Sequence, residues 1–393
     1  MNAASAPALR VFVAFRDTPE RRAALLGRAP RWLADPYLRL AGDGVALVHN
    51  LATPRQARLS ALWARLDAGW TRWAGIGLGD LERAWSVRRS ANATDVLVAA
   101  GDSAGIPLAA LRRLGRVRPP LLYVSIGWPE RWKIVKDRRG LSAFYRWVLG
   151  GVSAFAAFGW AEAAELRAIA GSRPVHFLPY GVDPDFFSPM ATTPAVDVVS
   201  LGADPQRDVP LLIRVACRLP HRTFRWIAPS DRLRAVGAWP PNLEVEGGVP
   251  PERVREVYAS ARVVALPVRE NTYSGATTTL LQAMAMGRPV VLSRVAAIAE
   301  GYGLRDGENV CLVPPGGTEE FSAAVERLLS DSALAADMGR RARLHVEREL
   351  TMERLADRLR LIVRELGEGR RPTRADGPWT ATAPRRASEE PAT

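Results

Sequence analysis

Lysine is nearly absent from this sequence. Of 54 basic residues in a chain of 393, only Lys133 and Lys136 are not arginine. Cysteine and histidine are scarce too. Cys217 and Cys311 form no obvious pair, and two Cys with four His show no metal-ligand spacing. A disulfide scaffold and a structural metal centre are therefore excluded as organising devices, and a reducing, cytoplasmic setting is expected. The opening residues, Met1–Arg10, lack the basic-then-apolar pattern of a secretory signal. The longest uncharged apolar run, Val148–Ala161, is too short for a bilayer span, which needs ~20 residues. A soluble or peripheral protein is expected, in the cytoplasm or on the cytoplasmic face of a membrane. No short-period repeat is present.

What is present is charge, apolar material and alternation. The net charge of +13 is uneven: through Met190 there are 26 basic against 15 acidic residues, and beyond it 28 against 26. Two readings of the arginine excess stand side by side. One is genomic base composition, since Ala, Arg and Gly abound. The other is attraction to phosphate in a nucleotide, lipid headgroup or nucleic acid. With 48% apolar residues, the length suits two domains of ~150–200 residues. Strands are predicted at Leu9–Phe15, Gly44–His49, Asp95–Ala100, Leu121–Ile126, Ala154–Phe158 and Val175–Pro179, with helices at Ile106–Leu114 and Ala161–Ile169 between them. After a Gly/Pro-bearing linker, Tyr180–Pro189, a second series runs from Asp197–Leu201 to paired helices ending near Leu366. Alternating strands and helices predict an α/β protein with doubly wound parallel sheets. The expected division is residues 1–185, residues 186–366, and a polar, Pro-rich, disordered tail at residues 367–393.

One segment carries most of the functional information. Val263–Val291 reads as strand, small-residue loop (Ser274, Gly275, Ala276), amphipathic helix, Gly287 and strand. Its loop presents backbone N–H groups at a helix start, where phosphate binds well. Around it lie YGVDPDFFSP (Tyr180–Pro189), LGADPQRD (Leu201–Asp208) and GLRDGENVCLVPPGG (Gly303–Gly317), in that order. From Phe177 to about Leu366 the chain resembles the C-terminal half of GT-B glycosyltransferases of family 4. The first half matches only in its alternating pattern. The resemblance implies two facing Rossmann-like domains with a cleft between them. It further implies a nucleotide diphosphate sugar as co-substrate in the second domain, a hydroxyl acceptor (saccharide, lipid-linked or natural-product) facing it, no cofactor, and metal-independent, retaining transfer.

Carried over residue by residue, Arg207 falls on a basic position that meets the diphosphate, while the motif's other basic position is Ala203. Gly202 and the loop Ser274–Thr278, with Gly275, Ala276, Thr277 and Thr278, would complete the phosphate site. Arg207 and Ser274 would stabilise the leaving group, and no general base is assigned. The family's two glutamates have their slots at Ser274 and Gln282. Gln282 can still bond a ribose hydroxyl, and Glu270 could replace the other only if its loop folds back. Val249 would lie near the base. A histidine often closes the strand that here ends at Ile126. On the acceptor side stand Asp102 and Ser103. Trp128, Arg131, Trp132 and Lys133, in Gly127–Lys136, offer either a stacking, cationic face for sugar or phosphate or an amphipathic surface loop.

Two rival readings remain. Gly101-Asp102-Ser103-Ala104-Gly105 is a literal G-x-S-x-G between strand and helix, the setting of a serine hydrolase nucleophile at Ser103. Equally, it is a strand-to-helix turn lining the acceptor cleft. The missing glutamates and histidine also fit a non-catalytic GT-B partner subunit. Trp63, Trp70, Trp73 and Trp85 lie in an arginine-bearing stretch that suits either core packing or contact with a membrane surface. No nucleic-acid recognition motif is visible.

Overall fold

In a computed structural model, which describes residues 9–52, 57–202, 204–228, 239–273, 275–370 and 372, the alternation becomes two six-stranded parallel sheets. The first contains β1 (Leu9–Phe15), β2 (Val45–His49), β3 (Val96–Ala100), β4 (Leu121–Ser125), β5 (Ala154–Ala157) and β6 (Val175–Phe177), ordered β2-β1-β3-β4-β5-β6. The second contains β7 (Val196–Leu201), β8 (Phe224–Ala228), β9 (Leu243–Gly247), β10 (Ala261–Leu266), β11 (Val290–Ser293) and β12 (Cys311–Val313), ordered β12-β11-β10-β7-β8-β9. Helices cover both faces, so the central strands are apolar throughout rather than alternating. Every residue of β3 and β4 is buried. The strand order reverses between β1 and β3, and again between β7 and β10. At such reversals the flanking connections diverge, leaving a crevice beyond the carboxyl ends of the strands.

Sequence patterning placed the strands closely but missed helices in the first domain. Ala57–Ala74 and Leu81–Asn92 are helical. The segment read as either a binding face or a loop is the helix Trp128–Val135, followed by Arg139–Leu149. Gly127, at φ +85°, turns the chain out of β4 and Pro129 fits the first helical turn. The helix after β3 starts at Asp102, earlier than Ile106, because Gly101 at φ +115° makes the turn at once.

The last helix differs most from expectation. The sequence places Met352–Leu366 with residues 186–366, yet in the helix Met352–Gly367 the side chains of Met352, Leu355, Leu359, Ile362, Val363 and Leu366 pack with Val11, Val13, Val96 and Val98 of the first sheet. Those six positions lie on one helical face, and the first sheet is where they find a partner. The linker and the returning chain meet directly: Val182 N–H donates to Leu350 O at 2.9 Å and Met352 N–H to Val182 O at 3.0 Å. A Cβ on Gly181 would sit 2.4 Å from Thr351 O. Gly367 closes this helix rather than opening a tail. The remainder of the predicted tail, 371 and 373–393, lies outside the described residues. Among the described residues no helix is long and apolar enough to cross a membrane.

Leu359 is fully buried in the first core, so Leu359→Ala should cost about 2–5 kcal/mol in urea denaturation. A loss below about 1 kcal/mol, the range of a tolerated volume-conserving swap, would mean that the helix is no part of that core.

Candidate active site

β7 delivers the chain to Gly202, whose φ of +140° lets the backbone turn across the end of the strand. A tight loop follows. Arg207 N–H donates to Asp204 O at 3.1 Å, Arg207 bridges Val268, and the Asp208 carboxylate caps the helix Val209–Arg218 by accepting Leu211 N–H at 3.0 Å. These constraints drive the Arg207 side chain inward beneath Gly202, where an added Cβ would stand 2.5 Å from its Nε. Arg207 is 5% exposed, and neither Nη1 nor Nη2 meets a hydrogen-bond acceptor among the described residues. Burial lowers its pKa to about 10, against the opposing fields of Tyr258 and Asp204, so the group stays cationic at neutral pH. A buried charge without a bonded partner costs several kcal/mol. The site is built to receive an anion.

Beside it a cavity of about 510 Å³ opens beyond β7 and β8, lined by Gly202, Val249, Tyr258, Thr278 and Gln282, with Trp32 reaching in from the first domain. Gln282, on the helix Thr277–Ala285, accepts the Tyr258 hydroxyl at 3.1 Å through Oε1, which fixes the amide's orientation. Ala276 heads that helix without a side-chain cap, leaving the first-turn N–H groups to other acceptors. Gly275 is pressed against the preceding loop, since its Cβ would lie 2.7 Å from Asp204 Oδ1. Tyr273 OH donates to that carboxylate at 3.0 Å. Gly202, Val249, Thr278 and Gln282 thus line one crevice, with Arg207 buried against Gly202 and with Gly275, Ala276 and Thr277 on the adjoining loop and helix start. Ser274 and Ala203 lie outside the described residues. Glu270 does not join the crevice: it stands exposed on the loop and lines none of the cavity.

The first domain corrects two expectations. Trp128 is fully buried against Tyr145, ring centroids 5.4 Å apart, so it offers no stacking face to a ligand. The left-handed turn at Gly127 points this first helical residue into the core. Asp102 is buried and already committed, accepting from Tyr123 OH at 2.7 Å and Ile126 N–H at 3.2 Å and pairing with Arg131. Its role is to hold the end of β4 to the next helices. Ser103 lines a smaller cavity, about 170 Å³, at the reversal of the first sheet, with Phe15, Asp17, Asn50 and Arg83. No hydrogen bond among the described residues joins Ser103 to a histidine, which leaves a hydrolase without its base.

Sequence reading missed Trp32 and Tyr258, which lie outside the quoted motifs, Asp204 and Tyr273, which lie inside them without an assigned role, and Glu162. Glu162 is fully buried at the start of the helix Trp160–Ala170, accepting from Ser125 OH and Gly127 N–H, both at 2.6 Å. Its position one turn into that helix, after a glycine-bearing strand end, was the only signal available. Burial raises its pKa from 4.5 to about 8. Across the cleft, Thr272 OH donates to Glu130 at 2.6 Å and the Tyr273 ring lies 3.6 Å from where a Gly127 Cβ would be.

Two facing Rossmann-like domains with crevices at the strand ends define the GT-B fold. Residues 198–331 match the family model for glycosyl transferases group 1. A mannosyltransferase of Mycolicibacterium hassiacum, named MMP alpha-(1->4)-mannosyltransferase, is 29% identical over 44% of this chain and 44% of its own length. A D-inositol 3-phosphate glycosyltransferase of Rhodococcus opacus is 30% identical over 28% of this chain and 23% of its own. These matches span less than half the length of either relative. Among solved structures, sucrose-phosphate synthase from Thermosynechococcus elongatus is similar at TM-score 0.65 and 14% identity, covering 92% of this chain and all of that one. HepE from Anabaena, in complex with UDP-glucose, is similar at 0.63 and 15%, with the same coverages. Those two likenesses establish the fold.

Because the folded chain holds the Glu162 proton to higher pH than the unfolded chain, the associated stability is complete below about 4.5 and is lost as pH rises through about 8. Glu162→Gln, which can accept the same two bonds, should therefore flatten the fall in urea midpoint between mildly acid and mildly alkaline buffer. An unchanged pH slope would show that Glu162 does not hold this proton.

Proposed function

We propose that the protein transfers a sugar from a nucleotide diphosphate donor to a hydroxyl acceptor. The observation that carries this reading is Arg207, a buried guanidinium with both Nη atoms unbonded, packed against Gly202, which lines a nucleotide-sized crevice. The match of residues 198–331 to glycosyl transferases group 1 and the UDP-glucose held by a neighbour of the same fold support it. Arg207 and the N–H groups of Gly275–Thr278, with Ser274, meet the charge developing on the departing diphosphate. Gly202 leaves the space a side chain would fill. Val249 lies against the base and Gln282 binds the ribose.

Transfer is retaining and needs no metal in this reading, because a fixed cation and backbone amides supply the neutralisation. The bond from the anomeric carbon to the diphosphate oxygen breaks, the acceptor oxygen bonds on the same face, and its proton passes to the departing phosphate oxygen. The crevice around Ser103 and Arg131 forms the acceptor side. The acceptor is a saccharide, a natural product or a lipid-linked hydroxyl met at the cytoplasmic face of a membrane. Closure of the domains excludes water. A second reading, a non-catalytic GT-B partner subunit, is favoured by Gln282, Ser274 and Ile126 standing where related enzymes carry glutamates and a histidine.

Calorimetry with UDP-, GDP- and dTDP-sugars separates these readings. One donor should bind, and Arg207→Ala should weaken it about 10–100-fold, the worth of a charged hydrogen bond. Binding without turnover on any acceptor would favour the partner subunit. No binding of any activated sugar by the unaltered chain would end the transfer reading and likewise favour the partner subunit.

A further inference from the structure

The helix Ala57–Ala74 packs one side on the first domain and turns another to water. Ala74 is fully buried, Asp67 accepts Leu78 N–H at 2.6 Å, and Trp70 Nε1 donates to Tyr145 OH at 2.9 Å. About a quarter-turn away lie Leu62, Leu66 and Trp73, 53%, 51% and 61% exposed. At ~100° per residue, spacings of four and seven place them within ~40° of one another. The stripe continues onto neighbouring helices. Ile134, 51% exposed, meets Gly75, whose added Cβ would lie 2.8 Å from Ile134 Cγ2. Trp147, 38% exposed, stacks on Phe144 at 6.3 Å, and Phe144 lies 5.2 Å from Trp70. Three helices thus share one apolar surface, and a contiguous patch of this kind marks an interaction site.

Its rim is cationic. Arg65 and Arg72 flank the stripe on its own helix and are exposed. The Arg138 guanidinium sits 5.2 Å over the Trp73 ring, and Arg146 lies 5.3 Å over Trp132. Lys133, Lys136 and Arg139 are exposed on the adjoining turns. Of the acidic groups nearby, Asp67 is bonded to Leu78, Glu130 and Glu165 are paired with Lys133, and Asp137 is exposed. Positive charge therefore prevails around an apolar, tryptophan-bearing centre. Tryptophan seats at headgroup level in a bilayer, and arginine or lysine near an anionic leaflet gains about 1 kcal/mol each.

We infer that this face docks the protein on an anionic lipid surface. The helix carrying Ile134 begins at Trp128, beside the interdomain contact of Glu130 with Thr272, so docking sets the mouth of the cleft next to the bilayer. Docking does not rest on the proposed transfer. What it achieves, delivery of a lipid-linked acceptor, does.

Co-sedimentation of the full chain with phosphatidylcholine vesicles, with and without phosphatidylglycerol, tests it. Binding is expected only with the anionic lipid. It should weaken about fivefold for each of Arg65→Ser and Arg72→Ser, and at least about tenfold when Leu62→Ser, Leu66→Ser and Trp73→Ser are combined. Circular-dichroism melting and donor binding should stay as in the unaltered chain, which separates failure here from failure of the transfer reading. No binding to anionic vesicles, equal binding to neutral ones, or undiminished binding by the triple variant would overturn the inference. So would self-association, seen by sedimentation velocity, that the triple variant abolishes in the absence of vesicle binding, since the face would then belong to a second copy.

Discussion

The guanidinium of Arg207 is kept out of water with its terminal nitrogens unbonded, and much of the second domain is arranged around that fact. Such a charge is costly, and the fold tolerates it because several independent constraints hold it. The Asp208 cap fixes the start of one helix, the bridge to Val268 fixes the loop against the end of β10, and Gly202 vacates the space above the side chain. Each constraint serves ordinary folding. Together they leave one buried cation behind Gly202 at the sheet's reversal, where a helix start adds partial positive charge of its own. The electrostatic debt stored there is discharged when an anion enters.

That crevice is not a property of one domain. Trp32 lines it from the first domain, and the loop at its rim reaches back: Thr272 bonds Glu130, while Tyr273 covers Gly127. The last helix returns to the first sheet and pairs its first residues with Val182 of the linker. The domains are therefore joined by two chain crossings, by the loop contact at the mouth of the cleft, and by buried packing between them, where Tyr302 OH donates to Phe158 O at 2.7 Å and its ring meets Phe177 edge-on at 5.8 Å.

How much of this was legible beforehand follows from the range of the interactions. The parallel sheets were readable because buried strands are written as local apolar runs, and β3, β4, β7 and β10 appear as such. Arg207, Gly202 and Gln282 were readable because a motif places them, although the motif could not show that Arg207 is sealed off rather than solvated. Trp128 and Asp102 were misjudged for the opposite reason. Their residue types suit a ligand site, but the turn at Gly127 and the proximity of Tyr123 and Arg131 commit them to packing, and neither fact is local. The returning helix was legible as a helix and not as to its partner, since amphipathicity specifies a face and not what covers it.

Asp204 and Tyr273 show what emerges only in three dimensions. They are far apart in sequence, yet the phenol donates to the carboxylate at 3.0 Å and that carboxylate presses on Gly275. Burial and the neighbouring negative charge push the Tyr273 pKa well above its ordinary value, so the phenol keeps its proton and remains a donor throughout the neutral range. Held in this way, the Asp204 carboxylate exerts its field on the Arg207 guanidinium without bonding its terminal nitrogens. The carboxylate offsets part of the cost of the buried cation while leaving both terminal nitrogens unbonded. A direct ion pair would have been more stable and would have closed the site. Restraint of Asp204 by Tyr273 and by Gln206 N–H, at 2.8 Å, is thus what lets the second domain fold without consuming its own anion-binding group.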